Sequence, residues 1–151
     1  MTIDVDIVLY FAYGSNMSTQ RLRERVPESI PIGSAVLNDY IFACNKSSRD
    51  GSGKGNIIEK AGGKTWGILY QIPISKLTIL DHYEVGYIRI EVVTEFGNRP
   101  TKAITYISTH FTDELPFDWY MKYVIDGAKE HNLPDAYIIE LEKMPVKIDS
   151  R

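Results

Sequence analysis

The chain has one cysteine, three histidines, no run of basic residues and no apolar stretch long enough to span a bilayer. A single thiol, Cys44, rules out an intrachain disulfide and, with no cysteine partner, a zinc knuckle. It reads as a reduced, partly buried side chain. His82, His110 and His131 lack the spacing of metal ligands, and each is expected to face solvent. No Gly-x-Ser-x-Gly elbow is present, so metal-assisted hydrolysis and serine-nucleophile chemistry are both set aside. With a formal net charge of −3, the chain is poorly suited to a phosphate backbone, and no nucleic-acid partner is expected. Without an apolar span, no membrane is expected either. The opening M-T-I-D-V-D carries acid where a targeting peptide would carry Lys or Arg, which leaves the cytoplasm as the expected compartment. No internal repeat or change of composition divides residues 1–151, so one domain is expected.

Against these absences stands Tyr10 to Met17, Y-F-A-Y-G-S-N-M. An apolar run from Ile7 to Tyr13, rich in β-branched and aromatic residues, stops at Gly14-Ser15-Asn16, and a helical pattern follows. Strand, tight turn and helix in that order aim backbone N–H groups above the strand end, where an anion or a polarised carbonyl can sit. Asn16 or Ser18 can cap the helix. Taken alone, the stretch is equally an ordinary strand-to-helix turn.

Downstream, Met17 to Val26 reads as a short helix with a basic outer face, ended by Pro27. Ile30 to Lys46 reads as a long or broken strand. Ser47 to Gly55, S-S-R-D-G-S-G-K-G, tempts a phosphate-loop reading. Ser48 stands where a Walker loop needs its first Gly, and Gly55 where it needs Ser or Thr, so a mobile surface loop or site flap is preferred. Asn56–Lys60 and Lys64–Ile72 read as two antiparallel strands joined by a hairpin turn at Ala61-Gly62-Gly63. Pro73 opens a helix reaching Asp81-His82; Tyr87–Phe96 and Lys102–Ser108 form a second hairpin. Pro116–His131 and a segment from Leu133-Pro134 to Lys143 are helical. About six strands joined mostly by hairpins, with helices gathered at the end, define an α+β domain whose mostly antiparallel sheet closes into a small barrel.

Among ionisable groups, Glu84 stands out. It lies between Tyr83 and Val85-Gly86-Tyr87, where aromatic and apolar neighbours can desolvate a carboxylate and raise its pKa. A solvated loop acid is the plainer account of the same residues.

Four segments together resemble the γ-glutamylcyclotransferases. They are Tyr10–Met17, Trp66-Gly67-Ile68-Leu69-Tyr70, Leu80-Asp81-x-x-Glu84, and Gly127-Ala128-x-Glu130-x-x-Leu133-Pro134-x-x-Tyr137. The resemblance implies a small mixed α/β barrel, no cofactor, self-association as a homodimer, and conversion of a small-molecule γ-glutamyl amide into 5-oxoproline and a free amine. It further implies that Glu84 is the catalytic acid–base. Tyr10, Phe11, Ala12, Tyr13, Gly14, Ser15 and Asn16 would hold the substrate. Tyr120 would touch it, or else serve as a core aromatic on its helix; Tyr87, Arg89 and Tyr106 are further candidates for the pocket wall. One departure is local: Val85 intervenes before Gly86-Tyr87, which makes the loop after Glu84 short. A module that binds a small acidic metabolite without turnover is the competing reading.

Overall fold

A computed structural model describes residues 6–151; Met1–Val5, which carry most of the acidic opening segment, lie outside the described residues. The elements in order are β1 (Ile7–Ala12), a 3-10 turn (Ser15–Met17), α1 (Thr19–Arg25), β2 (Ile30–Ser47), β3 (Gly53–Pro73), a 3-10 turn (Ile74–Lys76), α2 (Leu77–Tyr83), β4 (Ile88–Phe96), β5 (Arg99–Ile107), α3 (Asp118–Glu130) and α4 (Asp135–Glu142). The strands close into a barrel in the order β1-β3-β2-β4-β5. Every pairing is antiparallel except the closing one, where β1 meets β5 in parallel at Tyr10 and Ile104. Closure leaves no free sheet edge along the barrel wall. The expected α+β barrel is therefore the observed one.

Two expectations are corrected. The segments Asn56–Lys60 and Lys64–Ile72 are not hairpin partners but successive parts of β3, both paired with β2. Ala61–Gly63 forms a bulge between the pairs Tyr40–Glu59 and Asn38–Lys64. Gly62 adopts φ +80°, open to a glycine at no cost, and its N–H donates to Asp39 Oδ1 at 3.0 Å. A Gly-Gly pair in an alternating pattern thus bends one strand instead of ending it, and among the described residues the barrel has five strands, not six. The second concerns only the mobile-loop half of the Ser47–Gly55 reading, since Ser48, Arg49, Lys54 and Gly55 line a cavity as a site flap does. The segment is the tip of the β2–β3 hairpin, clamped from outside by Ser47 N–H to the His110 carbonyl (2.8 Å), Gly53 N–H to the Leu115 carbonyl (3.1 Å) and Lys147 Nζ to the Gly51 carbonyl (2.8 Å). Ser52 is fully buried there.

Period-two alternation along β1 sorts its side chains into two cores. Phe11 joins Leu37, Ile57, Leu69, Val92 and Ala103 in a cluster supplied by the strands, which fills the barrel. Tyr10 and Ala12 join Met17, Leu22, Tyr70, Met121, Val124 and Ala128 in the layer between barrel and helices. The Gly127-Ala128-x-Glu130 segment belongs to that layer. A Cβ on Gly127 would lie 2.5 Å from the Met17 carbonyl carbon and 2.6 Å from Ser18 N, so only glycine lets α3 press onto the turn after β1. Ala128 is fully buried beside it, and Glu130 accepts a long hydrogen bond from Thr19 N–H at 3.4 Å. The motif therefore holds the Gly14–Met17 turn in place. Gly127→Ala should destabilise the fold by roughly 2–3 kcal/mol, the scale of an overpacked core, read as a lower urea midpoint at unchanged m value.

Candidate active site

Above the barrel end, where β1 runs into its turn, lies a cavity of about 280 Å³. The Tyr10–Asn16 stretch with α1 behind it, the Glu84 turn after α2 and the β2–β3 hairpin tip build most of it, and Tyr106 of β5 and Tyr120 of α3 complete the lining. Ser18, not Asn16, caps α1, accepting from Arg21 N–H at 3.3 Å. That leaves the Asn16 side chain free to turn inward. Its Nδ2 donates to Glu84 Oε1 at 3.0 Å and to the Tyr10 hydroxyl at 3.1 Å, while Oδ1 faces Arg25 at 3.5 Å. Two segments 68 residues apart meet in that one contact.

Glu84 follows the last turn of α2, its N–H shared between the carbonyls of Leu80 (3.1 Å) and Asp81 (3.2 Å). Asp81 is fixed in turn: Arg89 Nη1 reaches both its carboxylate oxygens, at 3.1 and 2.9 Å, and the Tyr106 hydroxyl donates to it at 2.6 Å. Glu84 is half-buried and lines the cavity. Removal from water pushes its pKa up, and this outweighs the opposing pull of Arg25, Lys46 and Arg21 and of the Tyr10 hydroxyl. The Tyr10 and Tyr13 hydroxyls are held neutral by burial, reinforced by the Glu84 charge. Tyr13 donates to the Tyr106 carbonyl, fastening the strand end to β5. On the opposite wall, the Tyr120 hydroxyl accepts from Gly55 N–H at 2.8 Å, and Tyr87 donates to the Gly55 carbonyl at 2.6 Å.

Of the residues singled out from sequence, Tyr10, Tyr13, Gly14, Ser15, Asn16, Glu84 and Tyr120 line the cavity. Phe11 and Ala12 do not: Phe11 points into the barrel, and Ala12 packs in the helix layer. Tyr120 fits both readings, a buried ring on α3 whose hydroxyl reaches the cavity. Tyr87 and Tyr106 line it, whereas Arg89 stands behind, gripping Asp81. His82 and His110 are exposed as expected, but His131 is not solvent-facing; its Nε2 lies 3.0 Å from Thr19 Oγ1 and its ring packs edge-on to Tyr70. Cys44 is partly buried, its thiol pushed up to about 12 by desolvation.

Sequence reasoning missed the cations. Arg21, Arg25, Lys46, Arg49 and Lys54 all line the cavity, so the basic face of α1 is turned partly inward. Arg21 and Arg25, one helical turn apart and directly after the Gly14–Met17 turn, carried a readable signal. Lys46 and Lys54 carried none, because only the hairpin brings them together.

The chain matches the AIG2-like family over residues 64–141 and belongs to it. It is 33% identical to the mouse protein named γ-glutamylcyclotransferase, over 85% of this chain and 74% of that one. The human protein of the same name is 31% identical, over 89% of this chain and 77% of its own. A solved structure of a γ-glutamyl cyclotransferase superposes with a TM-score of 0.90 at 28% identity, covering 97% of this chain and 92% of that one.

The charge state of Glu84 has a stability consequence. A carboxyl whose folded pKa is raised stabilises the fold most below its unfolded value, near 4.3, and loses that contribution as pH rises through the folded value. Glu84→Gln should therefore match the wild type in Tm near pH 4 and exceed it at pH 8, measured by calorimetry across that range.

Proposed function

We propose that this protein is a γ-glutamylcyclotransferase. The observation that carries the reading is a desolvated carboxylate, Glu84, hydrogen-bonded to Asn16 of the Tyr10–Asn16 stretch inside a cavity of small-molecule size. Family membership and the printed names of the mouse and human relatives support it.

In the reaction, the α-amine of the γ-glutamyl group attacks its own γ-carbonyl. A C–N bond closes the five-membered ring, the amide C–N bond breaks, and 5-oxoproline and a free amine leave. The nucleophile is tethered to its target, so folding the substrate into a ring-like pose supplies much of the acceleration, and no protein nucleophile is needed. What the substrate lacks is a proton acceptor for the attacking amine and a proton donor for the departing one. Glu84 serves as both in turn, and desolvation suits it to the task by bringing its pKa toward the working pH. Asn16 Nδ2 fixes which oxygen faces the substrate. Negative charge grows on the γ-carbonyl oxygen as the ring closes. Among the described residues the N–H groups of Ser15 and Asn16 have no acceptor, and they can donate either to that oxygen or to the α-carboxylate.

Release of 5-oxoproline from a panel of γ-glutamyl compounds tests the reading. Glu84→Gln keeps the size and the hydrogen-bonding shape but cannot carry a proton, so kcat should fall about 10²–10⁴-fold with KM little changed. The acid limb of kcat/KM in the wild type should lie above the ordinary carboxylate range. Ligand binding without release from any panel member would replace the enzyme by a binding module.

A further inference from the structure

The cavity is far more positive than the reaction requires. Five cationic side chains line it against one acid, Glu84, in a chain whose net charge is −3. The excess is local and unevenly placed. Arg21 and Arg25 flank the reacting end, Arg21 Nε lying 3.2 Å from Ser15 Oγ and Arg25 Nη1 3.5 Å from Asn16 Oδ1. Lys46, Arg49 and Lys54 come from the hairpin tip, Lys46 reaching far enough to act on Glu84 as well. Lys46 is only 8% exposed, and among the described residues no carboxylate lies within ion-pairing distance of it. Its aliphatic end packs on Gly86, just past Glu84, and its Nζ sits 5.0 Å over the Tyr87 ring. Lys54 is held at 3.1 Å by Asp50 and lies over the rings of Trp119 and Tyr120, at 4.4 and 4.7 Å. Burying the Lys46 ammonium with no carboxylate in direct contact is costly even with the Glu84 and Asp50 charges acting on it from farther off, and a bound anion offsets that cost.

A γ-glutamyl group brings one carboxylate, which the α1 side can accommodate. The hairpin cations are then left for the other half of the substrate. We infer that Lys46, Arg49 and Lys54 form a subsite for an acidic amine half, so that the leaving amine is an amino acid carrying two carboxylates. The inference rests on the proposed reaction for its orientation and on the cation placement for its content. An uncharged amine would strand the buried Lys46 charge beneath the ligand, whereas a dicarboxylate answers Lys46 and Arg49 together.

Three probes separate the possibilities: γ-glutamyl-glutamate, γ-glutamyl-alanine and γ-glutamyl-ethylamide, whose amine halves carry two, one and no carboxylates. The expected order of kcat/KM falls in that sequence, by about tenfold per carboxylate, the scale of one charge-assisted hydrogen bond. Lys46→Met should reduce the ratio of the first to the third about tenfold. Arg49→Gln, at an exposed position where folding is not at risk, should reduce it in the same direction. Affinities of the three probes for the Glu84→Gln protein, by calorimetry, give the same order without turnover. If no probe yields 5-oxoproline, the proposed reaction fails while the affinities still decide the subsite. Equal or better handling of the ethylamide, in turnover or in binding, or a ratio unmoved by both substitutions, would overturn the subsite.

Discussion

The hydrogen bond from Asn16 to Glu84 is the contact on which the rest of the molecule converges. Each partner is held by a separate part of the fold. Glu84 rides on the end of α2, and Asp81 one turn earlier is pinned to β4 through Arg89 and to β5 through Tyr106. Asn16 rides on the turn that leaves β1, pressed from above by α3, whose approach is set by the missing side chain of Gly127. The barrel supplies the rigid rim, and the helices supply the clamps. A carboxylate in this position is preorganised: its orientation is fixed before a substrate arrives.

The same contact explains the electrostatics. Desolvation raises the Glu84 pKa, and Arg25, Lys46 and Arg21 restrain the rise. The two effects oppose each other with burial the larger, so the carboxyl titrates above the ordinary carboxylate range. The tyrosines around it stay neutral, since their hydroxyls are pushed upward by the same burial. They act as donors, acceptors and wall, and the proposed proton transfer is assigned to Glu84.

Much of this architecture was legible in the sequence, for local reasons. β1, α1, the β4–β5 hairpin and the C-terminal helices follow from periodicity and from Gly, Pro and capping residues. The Ala61-Gly62-Gly63 segment misled because glycines signal a turn and a bulge alike; the pairing of both flanks with β2 is a tertiary fact. Ser47–Gly55 misled because its polar composition suits a free loop, and the clamps that hold it come from residues 110–115 and Lys147. Phe11 and Ala12 were drawn into the site by sitting inside a specific motif, although strand alternation sends them to two different cores. The motif is as much a packing signature as a cavity-lining one. Of the five cations that line the cavity, Arg21 and Arg25 were legible from their one-turn spacing on α1, whereas no spacing encodes the arrival of Lys46 and Lys54 beside Glu84.

The central claim is that Glu84 is a carboxyl of raised pKa placed to move a proton. Its most direct test is a pH titration of the glutamate side-chain carboxyl carbons by NMR on isotopically labelled protein, with Glu84→Gln supplying the assignment. The account predicts one carboxyl titrating clearly above the ordinary glutamate range, absent from the variant. A Glu84 resonance that titrates within or below that range would contradict it.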